Sequence, residues 1–515
     1  MLHFLRVRED CHKTISDLHL ATLVHPALSP PPLQFSPDVL HENPVDATLR
    51  STMRSRRSHA ALLRLGIMAP ICCEDFRLLP FTLLLLRLGI VALVCCLGCA
   101  REQQGEGPPS LVFKHPKLLS REEPLRALLA QFQRAHPHVQ LQEEVLPSSS
   151  DQQHLFYVTN LEAGAADFDV FALDVIWVPE FRRAGWLHDL TAYLGPEGLK
   201  DFFPHAVEAA TYAGRIYAVP WFLDAGVLYY RRDLLDQYGL APPRTLAELT
   251  GAAQRILAGE ANPRLAGFVW QGKQYEGLVC VALEFIRAYG GEVLDEQGEP
   301  LLTQPAAVAG IGALRALIAQ DHVSPPWVTT ADEETARHVF AGGEAVFMRN
   351  WPYAWALLNA EGSLVRGRVG VTALPGSEAH PGAPTLGGWH LGINRFSRHP
   401  DLAWELVSFL TSVESQRSLA LAGGLKPTRI AVYKDPRAQQ EDPALALFFP
   451  LLWSARPRPV TPFYLMLSQV LQGELSAAVA GIKPAEVALS EAEQQIRRIL
   501  ALTPAEERHV QATTE

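Results

Sequence analysis

Beyond position 99 this chain has almost no cysteine. Six of its seven cysteines, Cys11, Cys72, Cys73, Cys95, Cys96 and Cys99, lie at or before that point, and only Cys280 follows. A disulfide framework is therefore excluded for the body of the protein. Cys/His clusters with metal-ligand spacing are absent too, so neither a metal nor another cofactor is expected. Basic surplus is lacking: the formal charge of −10 argues against nucleic acid as a partner. Stability must come from a large core, which 48% hydrophobic residues can supply. The chain past Cys99 exceeds the roughly 250–300 residues at which a single core stops growing, so two lobes are expected. There is no internal repeat, and residues 1–67 mix Arg, His and Pro without periodicity. Those residues carry no fold signal, and Met53 and Met68 are alternative starts.

What is present begins with Leu88 to Cys99, an uncharged and mostly apolar run that follows Arg87. It is too short to span a bilayer as a helix, which takes roughly 20 residues, and it suits the apolar region of a secretion signal. Leu97-Gly98-Cys99 resembles a bacterial lipobox, with Cys96 where that motif usually carries Leu. The resemblance implies lipidation at Cys99, removal of everything before that residue, and a protein held at the membrane outside the cytoplasm. A buried or signal-anchor helix is the alternative.

Residues 100–109 form a polar tether. After it, Ser110–His115 reads as a strand, Arg121–Ala135 has helical spacing (Leu125, Leu128, Leu129, Phe132), and Val139–Val145 alternates as a second strand. Gln152–Ala163 is helical, and Phe168–Asp174 is an apolar run suited to a buried parallel strand. This is the rhythm of a doubly wound α/β lobe. A second series runs from Arg244 through Phe268 to Tyr289, and after Asn394 the chain is largely helical.

Four islands combine aromatics with polar groups: Leu173–Trp177, Pro220–Tyr230, Met348–Trp355 and Gly387–His390. Three place Pro or Gly beside Trp, which marks turns. An indole offers a flat apolar face for the C–H face of a sugar ring, while acids, Asn and Arg chelate hydroxyl pairs.

In this order, Phe168-Asp-Val-Phe-Ala-Leu-Asp-Val-Ile-Trp177, Ala184-Gly-Trp-Leu187, Asp224-Ala-Gly-Val-Leu-Tyr-Tyr230, Phe268-Val-Trp-Gln271, Phe347-Met-Arg-Asn-Trp-Pro-Tyr353, Gly387-Gly-Trp-His390, Lys426-Pro-Thr-Arg429 and Arg456-Pro-Arg-Pro-Val-Thr-Pro462 resemble the solute-binding proteins of ABC sugar importers. The nearest branch is the trehalose/maltose-binding proteins. The resemblance implies two doubly wound α/β lobes joined by a hinge, the type II periplasmic-binding-protein fold. By analogy one lobe takes 110–219 with 392–440, and the other 220–391 with 441–515. It implies a monomer that binds a small sugar in the cleft and passes it to ABC permease subunits, without enzymatic activity.

Asp174 follows a buried strand at its carboxyl end, where ligands bind in open α/β sheets, though it also suits a helix cap. Trp177, Tyr229, Tyr230 and Trp355 read as core. The resemblance assigns sugar contacts to Phe222, Asp224, the stacking pair Trp351 and Tyr353, and Arg458, for which a solvated cation is the alternative. Trp389 follows two glycines that let the backbone approach a ligand, with the Gly388 amide as a donor. Glu333 is a further ligand candidate, pairing with Arg337 at i, i+4 being an equal explanation. Asp151 and Gln153 either cap the helix they open or reach ligand, and Gln153 is counted as the contact. The roles of Trp270, Gln271, Tyr275 and Glu276 stay open, and Arg429 is read as hinge support.

Two other functions fit parts of this pattern. A secreted glycoside hydrolase could draw its two carboxylates from Asp174, Asp224 and Glu333. A ligand-dependent sensor protein would share the fold and the site.

Overall fold

The computed structural model describes residues 108–502 apart from Ser120 and Pro196. Cys99 and the signal-like segment lie outside the described residues. No described helix is long and apolar enough to cross a membrane.

Among the described residues twelve strands appear in chain order: β1 (Ser110–Pro116), β2 (Gln140–Leu146), β3 (Val170–Asp174), β4 (Thr211–Tyr212), β5 (Arg215–Ile216), β6 (Ala218–Ala225), β7 (Val227–Arg231), β8 (Ala266–Val269), β9 (Ala345–Asn350), β10 (Val369–Thr372), β11 (Leu386–Ile393) and β12 (Lys426–Pro427). A six-stranded sheet has the order β12-β6-β11-β3-β1-β2, and a four-stranded sheet the order β10-β7-β9-β8. β4 and β5 form a small hairpin.

In the larger sheet β1 runs parallel to β2 and β3, with helices Glu123–Ala135 and Ser150–Glu162 in the two crossovers. β3 is buried along its whole length, which explains its unbroken apolar run. The first helix buries Leu125, Leu128, Leu129 and Phe132, the stripe that the spacing predicts. β11 returns from the other half of the chain and inserts antiparallel between β3 and β6.

The chain changes sheets at Gly226. β6 stays in the six-stranded sheet through Ala225, and β7 enters the four-stranded sheet at Val227. A Cβ at Gly226 would collide with the Glu284 carboxylate, so this turn between sheets needs glycine. The return falls between β10 and Leu386. The expected lobe boundaries at 219/220 and 391/392 fall inside β6 and β11, both strands of the larger sheet.

Two apolar clusters flank the larger sheet, and a bigger one fills the half built on the smaller sheet. At the centre of that half lies helix Glu276–Ala288, every residue of which is buried. Its partners include helices Pro305–Ala319 and Tyr464–Ala480.

Candidate functional site

A cavity of about 500 Å³ receives side chains from both sheets. That lies in the usual range for small-molecule sites. The larger sheet supplies Asp174 from the carboxyl end of β3, Phe222 and Asp224 from β6, Gly387 to Trp389 from β11, and Lys426 from β12. The other side supplies Tyr275 and Glu276 at the start of a helix, Glu333 at the start of another, Trp351 and Tyr353 just past β9, and Arg458.

Arg458 is 5% exposed and ties the two sides together. Its guanidinium donates to Asp174 Oδ1 at 2.8 Å and to Glu276 Oε1 at 2.9 Å. The reading as a solvated cation is therefore corrected: buried charges need partners, and this one has two. Glu276 also accepts from the Tyr464 hydroxyl at 2.6 Å and from Ser468. Burial raises its pKa, with Arg458 pulling it back. Asp174 Oδ2 accepts from the Ser150 hydroxyl at 3.0 Å, and Oδ1 lies 3.4 Å from the Ile176 amide. Asp174 thus lines the cavity and steadies its own turn, but it is not the helix cap: Trp177 is the N-cap of the helix Val178–Arg183, and no side chain caps it.

Asp224 is the contrasting acid. It lines the cavity and has no hydrogen-bond partner among the described residues. Burial pushes its carboxyl up to about 8, against the pull of the Lys426 ammonium and with a further push from Asp174. Lys426 is buried, donates to the Gly424 carbonyl at 3.3 Å, and has its own pKa lowered by burial. Asp151, also in the wall, is raised by burial and by Asp174.

The aromatic rings come from three strands or the turns that follow them. Trp351 is half-buried, with the Arg349 guanidinium 3.9 Å from its ring centroid. Tyr353 is 7% exposed and donates to Glu334 at 2.8 Å. Phe222 lies in the wall, edge-on to Trp221. Trp389 is half-buried and meets Trp177 edge-on at 5.6 Å. Pairing of β6 with β11 slips between Trp389 and His390, a bulge that redirects side chains beside the cavity. Gly388 sits at φ +118°, and a Cβ there would collide with the Phe222 carbonyl oxygen. Its own carbonyl accepts from the Val175 amide at 3.2 Å.

Two sequence readings change. The pairing of Glu333 with Arg337 is replaced, because Arg337 holds Glu334 at 2.6 and 2.8 Å, one residue closer along the helix. Gln153 is fully buried, and its amide donates to the Pro147 carbonyl at 2.7 Å. It lies behind the wall, while Asp151 and Gln152 face the cavity. Tyr229 is core, as the sequence suggests. Arg429 stacks on Phe202 at 3.9 Å and donates to the Thr411 carbonyl at 2.9 Å. Lys426 and Glu276 have no role that the sequence alone assigns. Their only local signal was a lone charge beside a Pro or a Tyr.

Residues 118–417 match the family described as bacterial extracellular solute-binding protein. The chain belongs to that family. A probable ABC transporter-binding protein of Deinococcus radiodurans is 41% identical over 61% of this chain and 75% of its own length. Among solved structures, maltose-bound T. maritima MalE3 superposes with a TM-score of 0.72 at 42% identity, covering 76% of this chain and 99% of that one. An ABC transporter solute-binding protein from Thermotoga lettingae TMO, bound with α-D-tagatose, gives 0.69 at 26% identity, covering 76% and 100%. The fold is accordingly that of the two-lobed type II binding proteins. The family and these relatives make this a binding protein of ABC transport rather than an enzyme, which sets the hydrolase reading aside.

Proposed function

We propose that the cavity captures a disaccharide or short α-glucoside of the trehalose or maltose kind and that the protein hands it to an ABC importer. One observation carries the reading. Rings from separate segments, Trp351, Tyr353, Phe222 and Trp389, share a single cavity with the unpartnered Asp224 and the Arg458–Asp174–Glu276 bridge. Flat apolar faces suit sugar C–H faces, and fixed charged groups suit hydroxyl pairs. Phe222, Asp224, Trp351, Tyr353, Trp389, Asp174, Arg458 and the Gly388 backbone are the proposed contacts. The sugar-bound relatives support the ligand class.

We further propose that the two sheets mark the cores of two lobes that close around ligand by hinge motion at Gly226 and ahead of Leu386. Lipid on Cys99 would hold the working monomer at the membrane, within reach of the permease subunits. Calorimetric titration of the chain from residue 100 with maltose, trehalose, sucrose and maltotriose tests the ligand class. Binding of at least one, with thermal stabilisation, is expected, and no heat from any of them refutes it. Metabolic labelling with a radioactive fatty acid tests the anchor: label should enter the full chain and be lost in Cys99→Ser.

A further inference from the structure

Trp351 is held on two sides before any ligand arrives. Its indole Nε1 donates to Glu333 Oε1 at 3.2 Å, and Glu333 Oε2 accepts from the Tyr275 hydroxyl at 2.7 Å. Each oxygen of that carboxylate thus serves a ring donor. The backbone around it is tied in the same way. Asn350 donates to the Glu333 carbonyl at 3.0 Å, and the Trp351 amide donates to the Asn350 side chain at 2.8 Å. Behind the indole stands the Arg349 guanidinium, 3.9 Å from the ring centroid. Arg349 is itself fixed, donating to Glu284 at 2.9 Å and to Gln271 at 3.0 Å, and it is 1% exposed. One face of the ring is therefore covered and one edge pinned, and the ring lines the cavity.

We propose that Glu333 is a positioning residue that sets the angle of the Trp351 and Tyr275 rings, and that sugar stacks on the Trp351 face turned away from Arg349. This rests on the reading of the cavity as a sugar site, and it replaces a direct hydroxyl contact by Glu333. The physical basis is that a side chain free to swing loses part of any stacking energy to ordering, whereas a ring locked by a hydrogen bond and a cation does not.

The test is a double-mutant cycle on the chain from residue 100, read by titration with maltose. Glu333→Ala should weaken binding about tenfold in the wild-type background. In a Trp351→Phe/Tyr275→Phe background, where the rings remain and their donors are gone, the same change should cost less than about twofold. An equal loss in both backgrounds means that Glu333 touches the sugar and overturns the proposal. A second readout needs no sugar. The Trp351 indole N–H resonance, assigned with Trp351→Phe, should shift in sugar-free Glu333→Gln, a variant that keeps the side-chain volume. An unmoved resonance also overturns it. If no sugar binds, the functional reading fails, and the resonance still reports whether Glu333 holds the ring.

Discussion

At the scale of single residues, the site contrasts one satisfied acid with one unsatisfied acid. Asp174 sits against Arg458, and Arg458 also holds Glu276. Removing the cation leaves two carboxylates buried without their partner. Arg458→Met should therefore destabilise the fold by about 3–5 kcal/mol, read by chemical denaturation, while also abolishing sugar binding. Asp224 behaves in the opposite way. Its carboxyl rises from the ordinary 3.8 to about 8, chiefly through burial. Between those values the folded chain keeps a proton that the unfolded chain has released, so stability falls as pH rises through the window and levels off above it. Thermal unfolding of Asp224→Asn alongside wild type should show the wild type losing ground steadily from about pH 4 to 8. Parallel curves would contradict that assignment. The aromatic side of the site is tested by Trp351→Ala, which should weaken sugar binding at least tenfold, about 1.4 kcal/mol, in titration.

Much of this residue-level picture was legible beforehand. Trp beside Gly or Pro picked out Trp351 and Trp389, which line the cavity, but the same signal marked Trp221, which is 1% exposed inside β6. Partnerships give no local signal. Asp174, Glu276 and Arg458 are far apart in the chain, and nothing within a few residues of any of them signals the other two. Glu333 misled for a subtler reason: i, i+3 and i, i+4 pairs are both neighbours on a helix, and Arg337 chose Glu334 at the closer spacing. Gln153 failed because its position on the first turn of a helix fixes which residues face the cavity, and that rotation is not written in its type.

At the scale of elements, β3 and the helix Glu123–Ala135 follow directly from apolar runs and periodicity. The switch from β6 to β7 was expected only by analogy, at 219/220, because Ala218–Arg231 reads as one nearly continuous strand interrupted only by Gly226. Whether a chain continues in one sheet or crosses to another depends on what lies beside that glycine, here Glu284. β11 carries the sharper constraint. Gly388 needs a positive φ and lies against the Phe222 carbonyl, so Gly388→Ala should separate β11 from β6 locally. A loss of about 1–3 kcal/mol is expected from strain alone, with faster exchange of the β6 amides as the diagnostic sign. Unchanged exchange there would show that the strands tolerate the added atom.

At the scale of the whole molecule, a cavity walled by two sheets makes ligand affinity depend on how the lobes meet. Charge from one side reaches acid on the other through Arg458, and rings from both sides share one space. Sugar should then shift the population toward the closed form, and small-angle scattering should report a smaller radius of gyration with maltose than without it. The most direct measurement for the account is calorimetric titration of maltose and trehalose into wild type, Trp351→Ala and Trp389→Ala. The account predicts saturable binding of at least one sugar by wild type, accompanied by about 2.7 kcal/mol of added stability at a hundred times its dissociation constant. It also predicts at least tenfold weaker binding in each Trp variant. Wild-type affinity in both variants would contradict it, as would the absence of any binding to the correctly folded protein.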